Sequence, residues 1–314
     1  MKNGVVKEVE TMIEIVTQEE ADAITHSGTM HADEVFATAF LDLYYGHLKV
    51  ARVTELQSNR KKEALVYDIG RGKYDHHQDN AKVRDNGIKY CSFGLLWQDF
   101  GKDFLKARKI KEVEEMFSAV DKDFIEMIDA IDNGIFPSIE ASYKVKTTSD
   151  LIKMFNPSFH TKEEENQQFL QAVSFAQILF ERELSYMLGK VKAKNLVLKE
   201  LENQTGPILY LKEYMPYEET LLTSPLGKDI LLVIFPSNRG GYSVQAVPIS
   251  ETNRENRLLL PMEWAGLEKE ELQQKSGIKT LRFCHKNRFI ACCDTKEDAF
   301  EIAKKTLLEK SHMK

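Results

Sequence analysis

The sequence predicts an α/β protein in two parts: an N-terminal, mostly parallel sheet flanked by helices, and a smaller C-terminal α+β domain. Three observations carry this reading. In the first third, short β-rich runs alternate with amphipathic helical segments, the rhythm of parallel strands joined by helical crossovers. After Gly206-Pro207, strand candidates follow one another with turn residues between them, which suits a mostly antiparallel sheet. The length of 314 residues gives room for one large or two ordinary domains, each with its own core, at roughly 150 residues per domain.

In chain order, Ala21 to Thr25 is a short strand entering a Ser27-Gly28-Thr29 turn. Val35, Phe36, Ala39, Phe40, Leu43 and Tyr44 then recur on one helical face. Ser or Thr at the entrance and Asp33-Glu34 in the first turn are start signals, and Gly46 stops the helix. Leu48 to Thr54 and Ala64 to Ile69 read as strands, and Ser92 to Leu105 and Lys111 to Ile131 as helices. From Thr161 to about Asn203 the composition is helical, with Gly189 and no proline, and its alternating Lys and Glu form a solvated face. These signals place the first domain at 1–185, a helical connector at 186–205 and a second domain at 206–314. In the latter, Ile208 to Leu211, Ile230 to Phe235, Tyr242 to Val247, Leu281 to Cys284 and Phe289 to Cys292 are strand candidates, and Lys296 to about Leu308 is an amphipathic helix.

Composition narrows the function classes. With 43 Lys+Arg against 49 Asp+Glu the net charge is −6, which excludes a globally basic nucleic-acid binder but not a local basic groove. The start, Met1 to Glu8, mixes charge and apolar residues too early for a signal peptide. The longest apolar run, Ile230 to Phe235, is far short of the roughly 18 residues that span a bilayer. Of 4 cysteines, Cys284, Cys292 and Cys293 crowd near the end, a poor disulfide framework. A soluble, cytoplasmic protein with no membrane partner is the expectation.

Four of the 8 histidines, His26, His31, His76 and His77, lie in the first quarter beside carboxylates. Four segments hold this chemistry: Thr25-His26-Ser27-Gly28-Thr29-Met30-His31-Ala32-Asp33-Glu34, Val66-Tyr67-Asp68-Ile69-Gly70, Tyr74-Asp75-His76-His77-Gln78 and Ile128-Asp129-Ala130-Ile131-Asp132-Asn133-Gly134. The first two end strands, where ligands bind in open α/β sheets. Mixed imidazole and carboxylate donors suit Mn²⁺ better than Mg²⁺, which remains the alternative. No thiol occurs in the four segments, which argues against structural zinc. Two ions bridged by one carboxylate would hold a hydroxide and clamp an anionic oxygen, as phosphoester hydrolysis requires.

Asp75-His76-His77, with Asp68 before it and Asp132 after it, resembles the motif set of the DHH phosphoesterase superfamily. The longer strings 25–34, 74–78 and 128–134, with Val244-Gln245-Ala246-Val247-Pro248, Trp264-Ala265-Gly266-Leu267, Ser276-Gly277-Ile278 and Phe283-Cys284-His285, resemble its melanocyte-proliferating-gene branch over almost the whole chain. The resemblance implies a DHH-like first domain, an active site between two domains and a metal-dependent phosphodiesterase. A 3′-to-5′ exoribonuclease or oligonucleotide hydrolase is the leading form, with RNA or a short oligonucleotide as partner and a homo-oligomer as an option. Hydrolysis of pyrophosphate or dinucleotides, and a non-catalytic binding protein, are the alternatives. It also implies one ion on His26, His31 and Asp68 and a second on Asp33, Asp68, His76 and Asp132, with Asp68 as bridge. His77 would meet substrate as proton donor or phosphate contact, and Asp75 would orient a neighbouring imidazole.

Two departures stand out: His31 where the superfamily more often has aspartate, and Phe289-Ile290-Ala291-Cys292 where the family usually has Phe-Ile-Gly-Gly. If those glycines let backbone approach a phosphate, the change bears on substrate binding. Arg257 and His285 lie in family-like strings and are carried as substrate contacts; Arg239, Lys286 and Arg288 are ordinary rim charges. His47, His160 and His312 read as surface residues, Cys284 with Cys292-Cys293 as small buried hydrophobes, and Asp129 as a supporting or capping carboxylate one turn before Asp132.

Overall fold

The computed structural model describes residues 13–78, 80–160 and 163–312, without the side chains of 310–312, so the Met1 to Glu8 segment lies outside the described residues. The chain forms two compact units, Met1–Leu188 and Gly189–Lys314.

The first unit contains β1 (Ile13–Ile15), β2 (Ala23–His26), α1 (Ala32–Tyr45), β3 (Leu48–Val53), β4 (Leu65–Val66), α2 (Ser92–Ala107), α3 (Val113–Val120), α4 (Glu126–Asp132), α5 (Thr148–Lys153) and the start of α6 (Glu165–Glu202). The strand order is β1-β3-β2-β4 and every pairing is parallel, as the alternating rhythm predicts. Ile24 pairs with Val66, so the carboxyl ends of β2 and β4 deliver His26 and Asp68 to the same level.

Helix α1 ends at Gly46 in the left-handed region, where its N–H donates to the Asp42 carbonyl. Its N-cap is His31 rather than a Ser or Thr, and the Glu34 carboxylate accepts from the His31 N–H at 2.8 Å. The later start follows from the loop before it. Gly28 turns at φ 92, and Asn156 holds the Met30 backbone through both its N–H and its carbonyl, at 2.7 and 3.0 Å.

The predicted 111–131 helix is wound as α3, a π turn over Asp121–Ile125, and α4. Two turns of α-helix take roughly 7.2 residues. The extra residue of the π turn stretches this to about eight, which puts Asp121 and Asp129 on one face, where both bind Arg84. The core beneath is aromatic: Phe36, Phe40, Phe93, Trp97, Phe104 and Phe180 are buried, with Phe40 touching Phe93, Trp97, Phe104 and Phe180. Each such ring contributes about 1.5–3 kcal/mol of transfer free energy. On α6, Phe169, Ala172, Val173, Ala176 and Phe180 are buried at three- and four-residue spacing. The early part of this helix is therefore a core element of the first unit.

The second unit contains β5 (Ile208–Tyr210), α7 (Glu218–Thr223), β6 (Leu232–Pro236), β7 (Tyr242–Ala246), α8 (Lys269–Ser276), β8 (Leu281–Cys284), β9 (Ile290–Cys293) and α9 (Lys296–His312). Its sheet runs β5-β6-β7-β9-β8, antiparallel except for the parallel β5–β6 pair. Ala299, Ile302 and Ala303 of α9 join Val244, Ala291 and Cys293 in one apolar cluster. Val197 and Leu201 from the end of α6 join Leu209, Val233 and Leu221 in another. Among the described residues no helix is long and apolar enough to cross a membrane.

Candidate metal centre

The sheet and α1 bring the four chemical segments of the first unit together. His26 ends β2, and its Nδ1 lies 3.0 Å from the Ser27 carbonyl. A carbonyl accepts only, so this contact assigns the proton to Nδ1 and leaves Nε2 as the donor for an ion. That nitrogen lies 3.2 Å from Asp68 Oδ2 and 3.7 Å from Glu34 Oε1. The His31 ring centroid is 5.7 Å from that of His26.

Asp68 follows β4 at φ 54, and Gly70 and Arg71 are also left-handed, at 84 and 55. Aspartate tolerates this region better than most residues. The turn returns the chain so that the Asp68 N–H donates to the Tyr74 carbonyl, and the Asp-His-His triplet follows at once. His76 Nε2 lies 3.2 Å from Asp132 Oδ2, and its Nδ1 lies 3.5 Å from Asp68 Oδ1. Asp75 shares His77 with Asp68, whose Oδ1 lies 3.6 Å from His77 Nδ1. It accepts from the Arg71 and His77 N–H groups at 2.6 and 3.0 Å and meets His77 Nδ1 at 2.8 Å. The neighbouring imidazole it aligns is therefore that of His77.

Two groups of potential ligands result, His26, His31, Glu34 and Asp68, and Asp33, His76, Cys91 and Asp132, with the donor atoms of each group within 4.8 Å of one another. A third, Asp68, Asp75, His76 and His77, overlaps both. All six residues expected to bind metal, His26, His31, Asp33, Asp68, His76 and Asp132, are thus brought into one neighbourhood. Glu34 and Cys91 are additions. Glu34 serves as a helix-start residue in the sequence pattern, and its place in the chemistry shows only in its position one turn from His31. Cys91 lies just before α2, outside any motif.

The charge state supports a cation. Burial, followed by the charges of Asp68, Asp132 and Asp129, pushes the Asp33 carboxyl well above its usual range, although both its oxygens accept from N–H groups at the start of α2, Ser92 and Phe93, at 2.9 and 2.7 Å. Burial raises Glu34 to about 8. For His26, burial would lower the pKa, but the Asp68 hydrogen bond and the Glu34 charge outweigh it and raise it to about 9. Asp68 Oδ1, Glu34 Oε2 and His76 Nδ1 are shielded from solvent without hydrogen-bond partners. Buried carboxylates crowded in this way are costly unless a cation neutralises them. Imidazole with carboxylate is a donor set for a borderline divalent ion, so the residues present fit such a group.

Asp129 is not among these donors. It is buried against Arg84, with Nη1 to Oδ2 at 2.6 Å, while Arg84 Nη2 binds Asp121 at 2.8 Å and the guanidinium stacks on Tyr90 at 3.8 Å. A Cβ at Gly94 would lie 2.1 Å from Asp129 Oδ2, so α2 needs glycine there. The backbone carbonyl of Asp129 accepts from Asn133 and Cys91. Arg84 and Asn156 therefore hold the walls of the site, and neither carries a local sequence signal.

The remaining candidates lie in the second unit. Arg257 Nη1 donates to the carbonyls of Gly227, Lys228 and Ile230 at 2.7, 3.0 and 2.9 Å, a structural engagement that sequence gave no hint of. His285 accepts from the Asn287 N–H through Nδ1 and packs its ring on Phe289. Ala291 is buried in the sheet core, whereas Cys292 lines a cavity of about 700 Å³ with Arg239, Arg282 and Phe283. Cys284 and Cys293 are buried.

The profile of a family described as "Uncharacterised protein family (UPF0160)" matches residues 22–307. Over 314 residues the chain is 32% identical to a MYG1 protein of Dictyostelium discoideum, covering 90% of this chain and 95% of that one. It is 30% identical over 327 residues to the MYG1 exonuclease of Homo sapiens, covering 92% and 86%, and 30% identical over 322 residues to that of Bos taurus, covering 91% and 84%. No solved structure matches.

Proposed function

Because the chain belongs to the MYG1 family, UPF0160, we propose that it is a metal-dependent exonuclease whose reaction centre is the cluster around Asp68. The observation that carries this is the convergence of His26, His31, Asp33, Asp68, His76 and Asp132 into overlapping groups of ligand-type atoms. The name exonuclease on several relatives supports a nucleic-acid substrate. Two divalent ions of the Mn²⁺ type, when bound, would neutralise phosphate charge and lower the pKa of an attacking water.

The chain's own residues do the rest. Asp68, between His26 and His76, would be the residue shared by the two ions. Asp33 is anchored by the start of α2, which fixes its direction before any ion arrives. His77, more than half exposed and aligned by Asp75, faces the cavity and is the group placed to give a proton to, or bind, a phosphate oxygen. We assign RNA as the substrate and 3′-to-5′ as the direction, on the resemblance of the longer motif strings to the melanocyte-proliferating-gene branch. The test uses Mn²⁺-loaded protein on 5′- and 3′-labelled RNA beside an Asp68→Asn variant. Loss of stepwise shortening in the variant is expected, and equal activity in the two proteins would remove the cluster from the chemistry.

A further inference from the structure

Beside the metal cluster, the first unit holds a cavity of about 360 Å³. Its lining includes the proposed ligand residues His31, Asp68 and Asp132, and also Phe136, Ser149 and Lys153. The volume sits at the bottom of the roughly 300–1,000 Å³ range of small-molecule sites, which suits one nucleotide and not a longer stretch of strand.

The lining outside the proposed ligands is chemically mixed in a way that matches a nucleoside. The Phe136 ring is 72% exposed, an unpacked aromatic face of the kind on which bases stack. Ser149 Oγ is shielded from solvent and has no hydrogen-bond partner, a cost that a polar ligand atom would remove. Lys153 is exposed and supplies positive charge. Asp150, also in the lining, is turned to the Thr147 N–H and hydroxyl at 2.8 and 2.9 Å, so its charge is engaged.

The geometry points to this cavity as the seat of the terminal nucleoside of the strand, with Phe136 against the base, Ser149 and Lys153 at its polar edges and hydroxyls, and the scissile phosphate at the metal side. This rests on the exonuclease reading and deepens it. A cavity of this size seats one nucleotide, so the expected product is a mononucleotide, and recognition of the strand end falls to Phe136 and to Ser149 and Lys153 of α5.

Calorimetry on the Mn²⁺-loaded protein tests it, with adenosine 5′-monophosphate and ribose 5-phosphate as probes. The wild type should bind the nucleotide about tenfold more tightly than the sugar phosphate, the worth of one stacked base. Phe136→Ala should erase that preference and Phe136→Trp restore it, while both variants take up Mn²⁺ as the wild type does. Equal binding of the two probes by the wild type, or a preference that survives in Phe136→Ala, overturns the assignment. Binding of neither probe by metal-loaded protein overturns it too. Failure of the exonuclease reading registers elsewhere, in Mn²⁺ uptake that is no stronger in the wild type than in Asp68→Asn.

Discussion

Replacing Arg84 with methionine should be among the most damaging changes in the first unit, although the residue touches no proposed ligand. The guanidinium is 8% exposed and is the cation that faces the buried Asp129 carboxylate at 2.6 Å, with Asp121 at 2.8 Å and the Tyr90 ring beneath it. Methionine keeps most of the volume but leaves Asp129 uncompensated. Breaking a buried pair from one side costs about 3–5 kcal/mol. Burial holds the Asp129 carboxyl at about 7 even with the arginine in place; without it the carboxyl is pushed higher and folds as the neutral acid. Urea denaturation at pH 7.5 should show a lower midpoint with an unchanged slope. The double variant Arg84→Met/Asp129→Asn should recover more than half of the loss, because the orphaned charge is then gone. A loss under about 1 kcal/mol, the value of an exposed pair, or no recovery in the double variant, would refute the argument that the cost lies in the buried charge.

Other outcomes follow from the same geometry. Gly94→Ala should cost about 1–3 kcal/mol in the same denaturation assay, since its Cβ would sit 2.1 Å from Asp129 Oδ2; a neutral result would mean that α2 shifts freely. In metal-free protein, Asp129, Glu34 and His26 have folded-state values near 7, 8 and 9, above their ordinary ones. Each contribution is present at low pH and lost as pH rises through the folded value, so apo stability should fall from about pH 4 to 9. Metal ligation needs the deprotonated forms, so the rise in Tm on adding Mn²⁺ should be larger at pH 8 than at pH 6; the reverse order would contradict the assigned ligands. Asn156→Ala, which releases both polar groups of Met30, should cost about 1–3 kcal/mol and weaken Mn²⁺ binding in a direct titration, with unchanged affinity counting against the role of that loop.

The parts of this structure legible in sequence are those in which neighbours along the chain decide the outcome. Helix α1 was visible in the spacing of Val35, Phe36, Ala39 and Phe40 and in the Gly46 stop, and the candidate ligand strings were visible because imidazoles and carboxylates lie within a few residues of one another. What could not be read is what long-range partners decide. The π turn at Asp121–Ile125 exists to match Arg84, whose partner Asp129 is 45 positions away. Asn156 acts on Met30 from 126 positions away. The N-cap moved from the Ser27-Gly28-Thr29 turn to His31 for the same reason. Strand β4 is only two residues long because the chain must bend at once to present Asp68. Arg257, marked for substrate by a family-like string, also has a structural engagement that no local pattern announces, with Nη1 held by three carbonyls.

The left-handed backbone at Asp68 has a consequence for how this position can drift. Glycine would accept the φ of 54 but brings no ligand, glutamate would keep the charge but extends the side chain, and asparagine keeps the conformation while losing the anion. Two selective filters of unrelated origin, one steric and one electrostatic, therefore overlap on a single side chain. Each alone admits several residues, and together they admit one. A lineage that lost the reaction would be released from the electrostatic filter alone, and its first substitutions here should be asparagine or glycine, a signature by which an idle relative is told from an active one.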